Sequence, residues 1–120
     1  MPKIKFCTIP VANQDRALKF YTDCLGCECL TDQPFGNGTR WIEVGWKNRE
    51  TTFVLFTPPG MESQIGGFAM ASISTENIDH TYKEWAAKGV EFVEPPKKQP
   101  WGTQAIFKDS EGNTFVMTQD

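Results

Sequence analysis

The sequence predicts an α+β fold in which two βαβββ modules form a curved mixed sheet around a cleft. Two observations carry this. The segment from Asn13 to Glu28 is echoed by the segment from Asn77 to Glu91, 64 residues further on in a chain of 120. Each copy reads as a cap, an amphipathic helix, a glycine stop and a new strand. Around each copy the remaining apolar runs are short, β-branched or aromatic, and divided by turn residues. Residues 1–60 form the first module and residues 61–120 the second. Either half alone would bury too little surface to be stable, so the two must share one core.

Ile4 to Val11 is the first strand, with Pro10 marking an edge or exit because it cannot donate to a ladder. Asn13 caps a helix whose apolar stripe is Ala17, Phe20, Tyr21, Cys24 and Leu25. Gly26 ends that helix, and Cys27 to Leu30 starts a short strand. Gly36-Asn37-Gly38 turns the chain into a strand from Arg40 to Trp46. Residues 47–50 turn it again into a strand from Thr51 to Thr57. Pro58-Pro59-Gly60 and the polar stretch to Gly67 join the halves. The second half repeats the order, with a strand from Phe68 to Ser74, a helix capped by Asn77 and closed by Gly89, and a strand from Val90 to Val93. Pro95-Pro96-Lys97-Lys98 reads as a rigid charged loop. A last pair of strands, Thr103 to Phe107 and Thr114 to Thr118, flanks a turn at residues 109–113.

Composition narrows the function. A net charge of −3 argues against a nucleic-acid partner. No signal peptide or membrane-spanning run is legible, so a cytoplasmic setting without membrane attachment is expected. Cys24, Cys27 and Cys29 lie at a helix end, the wrong pole for stabilising thiolates, and lack the partners of a metal site. They read as inert thiols, and His80, the only histidine, as a surface residue of the second helix.

The phrases TIPVANQDRALKFYTDCLGCE, Trp101-Gly102 and AIFKDSEGNTFVMTQD, in that order, resemble the vicinal oxygen chelate superfamily. Glyoxalase I, extradiol dioxygenases, fosfomycin resistance enzymes and bleomycin resistance proteins belong to it. Metal-dependent members place four ligands on four strands, two per half. The resemblance puts those positions at Phe6, at about Leu55 (Val54 or Phe56 if shifted by one), at Phe68 and at Val116. None of these side chains coordinates a metal, so neither metal nor other cofactor is expected.

Strand alternation puts Phe6 with Thr8, Phe53 with Leu55, Phe68 with Met70 and Ser72, and Thr114 with Val116 and Thr118. If these rows line the concave face, the pocket is apolar and aromatic with a few hydroxyls, suited to a small apolar or aromatic molecule. Trp41 and Trp101 are candidate platforms, Trp101 because its Pro-Trp-Gly loop resembles a rim loop of the family. Arg40 is a candidate anion fork. Glu43, inside the apolar run Trp41-Ile42-Glu43-Val44, is a candidate general base or cation ligand. The expected function is metal-independent binding of an aromatic or amphipathic ligand, with a homodimer implied by resemblance to bleomycin resistance proteins. Two alternatives stand beside it. One is a glyoxalase-like lyase or isomerase using Glu43 or an atypical metal site, and the other a subunit whose cleft its own side chains fill.

Overall fold

A computed structural model describes residues 1–119. The first module runs β1 (Phe6–Ile9), α1 (Gln14–Lys19), β2 (Glu28–Pro34), β3 (Arg40–Gly45) and β4 (Thr52–Leu55). The second runs β5 (Phe68–Thr75), α2 (Ile78–Ala87), β6 (Glu91–Gln99), β7 (Gly102–Lys108) and β8 (Thr114–Gln119). The repeated βαβββ order is therefore present. The strands form two four-stranded mixed sheets, ordered β1-β4-β3-β2 and β5-β8-β7-β6, where one continuous curved sheet was expected. In each, the first strand lies parallel to the last and the others are antiparallel. β1 has four residues and runs into Pro10, which has no N–H with which to extend a ladder toward β5.

Local signals set both helices. Asn13 caps α1 by accepting from the Arg16 amide, and Asn77 caps α2 by accepting from the His80 amide. Beyond Lys19 the first helix widens into a π-helical turn at Phe20–Cys24, with Leu25 N–H reaching the Phe20 carbonyl at 3.3 Å. Gly26, at a φ of 78°, then reverses the chain at no side-chain cost. The stripe buries Ala17, Tyr21 and Leu25 and leaves Phe20 and Cys24 half-buried.

The expected Pro95-Pro96 loop is instead the middle of β6. β6 is an edge strand, so a residue without an N–H can turn its unpaired side to solvent. Register shifts between Phe92 and Glu94 and between Glu94 and Lys97 absorb the irregularity.

The helix sides of both sheets meet in one aromatic core. Phe53 of β4 lies 5.7 Å from Phe115 of β8, and Phe115 stacks on Phe107 at 5.4 Å. Tyr21 meets Phe53 and Phe115 edge-on, while Trp46 stacks on Trp85 at 6.4 Å. Phe53 and Phe115, which touch, are equivalents in the repeat, as are Tyr21 and Trp85, so each half supplies the other's missing wall.

The turn between β7 and β8 locks this contact. Asp109 is buried, and its two oxygens accept from the Glu111 and Asn113 amides, the Tyr21 hydroxyl at 2.7 Å and the Asn113 side chain. Asn113 also donates to the Pro10 carbonyl and accepts from the Gly66 amide. Glu111 reaches across to the start of α1. Its carboxylate accepts from the Ala12 and Asn13 amides at 2.9 Å each and from the Arg16 guanidinium at 2.8 Å. Gly112 turns at a φ of 84° with its Cβ position 3.6 Å from Gly66 Cα.

Burial alone would raise the Glu111 carboxyl, but the bonds from Arg16, Asn13, Ser110 and Ala12 outweigh it and hold the group at about 2 against an ordinary 4.5. The folded value lies below the unfolded one. The stabilisation is therefore complete above about pH 4.5 and is lost as pH falls toward about 2. We expect Glu111→Gln to cost roughly 1–2 kcal/mol at neutral pH, a figure discounted for the water that screens Arg16. The variant should also lose less stability than the parent between neutral and acidic pH. Urea melts of both proteins across that range measure this, and identical acid limbs would contradict it.

Candidate ligand-binding faces

Each strand spends alternate residues on the core, and the others emerge on the outer face of its sheet. In β3, Ile42 and Val44 are fully buried, while Trp41 and Glu43 point outward. Register carries that face across the sheet. Phe6 pairs with Thr52, Thr8 with Val54, Val54 with Glu43, and Glu43 with Thr31. Phe35 and Phe56 join from just beyond the strand ends. Phe6 meets Trp41 edge-on at 5.4 Å, Phe35 lies 5.4 Å from Trp41 and 5.3 Å from Phe56, and Trp41 lies 6.0 Å from Phe56. Glu43 stands beside this cluster, accepting from the Thr52 hydroxyl at 2.7 Å and from the Trp41 indole N–H at 3.4 Å.

The second sheet repeats the arrangement. Phe68 pairs with Thr114, Ser72 with Val116, Val116 with Ile106, and Ile106 with Glu94. The rows correspond: Thr8, Val54, Glu43 and Thr31 match Ser72, Val116, Ile106 and Glu94. Phe68 and Met70 are exposed. Between the sheets a groove of about 190 Å³ is lined by Thr8, Pro58, Met61, Gln64, Phe68 and Met70. Trp101 is exposed on the turn from β6 to β7, where its indole N–H donates to the Gln104 side chain at 3.2 Å.

Six expected residues, Phe6, Thr8, Trp41, Phe68, Met70 and Val116, thus lie on the outer faces, with Glu43 among them. Three expected placements are corrected. Phe53 and Leu55 belong to the buried core cluster, because it is Thr52 and Val54 that share a face with Phe6 and Thr8, although Val54 is itself 0% exposed there. Arg40 stands on the helix side of β3, one residue out of phase with Trp41. It is tied there to Asp15 and to Asp32 at 3.0 Å, so its fork is already occupied. These hydrogen bonds raise the guanidinium further above its ordinary range and hold Asp32 below the usual carboxylate value. Sequence reasoning missed Thr52 and Phe35 and gave Val54 and Phe56 only as shifted alternatives to Leu55. The available signal for Phe35 was an aromatic residue directly before the Gly36-Asn37-Gly38 turn, where polar residues are usual.

Register also revises the family's metal positions, since Val54 and not Leu55 is the counterpart of Val116. The set is then Phe6, Val54, Phe68 and Val116, which offers no side-chain donor atom, so these positions do not fit a divalent ion. Among the described residues no group of three or more His, Cys, Asp or Glu side chains converges as a metal site. The four cysteines are free thiols, and burial pushes Cys27 up to about 12. His80 lies on the surface of α2 beside Glu84, at 3.3 Å. No helix among the described residues is long and apolar enough to cross a membrane.

Residues 3–117 match the Glyoxalase/Bleomycin resistance protein/Dioxygenase superfamily. The chain is 33% identical to the uncharacterized protein YetH of Bacillus subtilis over 91% of each sequence. Its fold is similar to a member of that superfamily from Sphaerobacter thermophilus DSM 20745, with a TM-score of 0.90 and 31% identity over 100% of this chain and 98% of the other. It is also similar to TnmS3, an antibiotic binding protein from Streptomyces sp. CB03234, with a TM-score of 0.86 and 30% identity over 99% of this chain and 96% of that one.

The two faces of β4 separate stability from binding. Phe53→Ala should cost about 3–5 kcal/mol, as for other large core truncations. Phe56→Ala, on the half-buried outer cluster, should cost well under half of that. Chemical denaturation of the two variants reads the difference, and equal losses would place Phe56 in the core as well.

Proposed function

Because the chain belongs to the Glyoxalase/Bleomycin resistance protein/Dioxygenase superfamily, we propose that it is a metal-independent protein that binds a small aromatic or amphipathic molecule. One observation carries this reading. The strand positions at which metal-dependent members hold an ion are apolar here, and one of them, Phe6, belongs to the aromatic cluster it forms with Phe35, Trp41 and Phe56. Such a surface favours a flat ligand through area burial and stacking. It has no Lewis acid with which to polarise a carbonyl. The similarity to TnmS3, an antibiotic binding protein, supports a binder over a lyase.

The same reading holds that the outer faces wall a cleft completed by a second copy of the chain. Phe35, Phe68, Met70, Val93 and Trp101 are all exposed in the single chain. Large apolar side chains left exposed in such numbers favour an interaction surface. A homodimer would cover part of it and enclose the remainder as a binding site.

A second reading rests on Glu43. A carboxylate fixed by Thr52 on the ligand face is positioned to take a proton from a bound molecule, which would make the chain a metal-free lyase or isomerase. Turnover of a bound ligand that disappears in Glu43→Gln while binding persists would favour it.

The binding reading is tested by a thermal-shift screen of planar aromatic metabolites and antibiotics, run with and without added Ni²⁺, Zn²⁺ and Fe²⁺. A true ligand at about 100 times its Kd adds roughly 2.7 kcal/mol, a Tm increase on the order of 10 °C. The increase should not need metal and should be lost in Trp41→Ala. Stabilisation by a stoichiometric divalent ion, or by no aromatic compound at all, would overturn the reading.

A further inference from the structure

Glu43 narrows the class of ligand. An ionised carboxylate only accepts hydrogen bonds and offers about four lone-pair positions. Two are taken, by the Thr52 hydroxyl and the Trp41 indole. Neither donor is cationic, and none of the ion pairs among the described residues includes Glu43. Arg49 lies on the same outer face, over Gly45 and beside Thr52, but it is paired with Glu28 at 3.4 Å and donates to the Trp46 carbonyl, and no ion pair ties it to Glu43. The charge therefore stands uncompensated beside Trp41 and its neighbouring rings. The faces of those rings are themselves negative in their quadrupole and attract cations within about 6 Å of the centroid.

The second sheet supplies an independent observation. Among the described residues, the one buried side-chain oxygen or nitrogen with no hydrogen-bond partner is Oε1 of Glu94. Glu94 occupies the outer row with Ile106 and Val116, the counterpart of the row that holds Glu43. A buried acceptor without a donor is costly to leave unmade. On the flanking rows Lys108 lies opposite Glu91 and Lys97 opposite Gln104, and among the described residues no ion pair joins either lysine to Glu94. The second outer face thus holds an acceptor without a donor, and on the first Glu43 keeps lone pairs beyond its two bonds.

Resting on the binding reading above, we propose that the ligand is an aromatic molecule carrying a protonated amine. Its ring lies on Trp41, Phe35 and Phe56, and its ammonium group is held by Glu43. The aromatic cluster provides affinity for the ring, and Glu43 provides selection for the charge. An aromatic carboxylate of the same size is rejected, since it would bring a second negative charge to the same carboxylate and the same ring faces.

Isothermal titration of the full chain with three naphthalenes of matched size tests this: 2-(aminomethyl)naphthalene, its neutral alcohol analogue and its carboxylate analogue. The amine should bind about tenfold more tightly than the alcohol, and the carboxylate most weakly. In Glu43→Gln the amine and the alcohol should differ by less than about threefold. The series on the unmodified chain decides the matter even if the variant folds poorly. Equal binding of amine and alcohol by the unmodified chain would overturn the selection for charge while leaving the aromatic site standing. Binding of none of the three would overturn both.

Discussion

The turn between β7 and β8 is the constraint on which the rest of the molecule depends. Two carboxylates, Asp109 and Glu111, are taken out of water there, which is tolerable only because their oxygens find donors. Some of those donors belong to the turn itself, and the others come from the other half of the chain: the Tyr21 hydroxyl, the Ala12 and Asn13 amides and the Arg16 guanidinium. Glu111 also sits at the positive end of α1, where a negative charge is favoured. Removing either half would strand the charges of the other, so the modules form one body. The repeat is not symmetric at this point. At the corresponding junction the start of α2 is met by the Gln119 side-chain oxygen at 2.9 Å, with no buried carboxylate. The gap beside it remains a polar groove of about 480 Å³ over Trp46 and Trp85.

With the modules joined in this way, one face of every strand is committed to the shared core. Phe53, Leu55, Phe107, Phe115 and Met117 fill it at little or no exposure. The opposite faces keep Phe6, Trp41, Phe35, Phe68 and Met70 without a core to enter. Apolar side chains retained there are costly for a lone monomer, and their presence is the physical basis for reading these faces as contact surfaces.

The same division bears on the chemistry. In a fold known for chelating metals, Phe6, Val54, Phe68 and Val116 replace donor atoms with hydrocarbon. Glu43 is the polar exception within the first sheet's aromatic region, fixed by Thr52 and Trp41 and unmatched by a cation. On the proposed reading, selectivity would come from ring contacts and one carboxylate.

Local patterning was enough to place the helices, caps and glycine stops, because each depends on residues within one or two turns of chain. The repeat, legible as Asn13 to Glu28 against Asn77 to Glu91, was enough for the element order. The loss of donors at Phe6, Phe68 and Val116 was legible only through the resemblance to the vicinal oxygen chelate superfamily. Which face of β4 turns outward could not, since Phe53, Val54, Leu55 and Phe56 are all apolar and alternation alone has no preferred phase in such a run. Only pairing with β1 and β3 decided that Thr52 and Val54 face out and that Phe53 and Leu55 face the core. The strand through Pro95-Pro96 likewise needed its edge position in the sheet. The role of residues 109–113 was hidden for a related reason: a short polar run reads as a turn until the distant start of α1 brings its amides to Glu111.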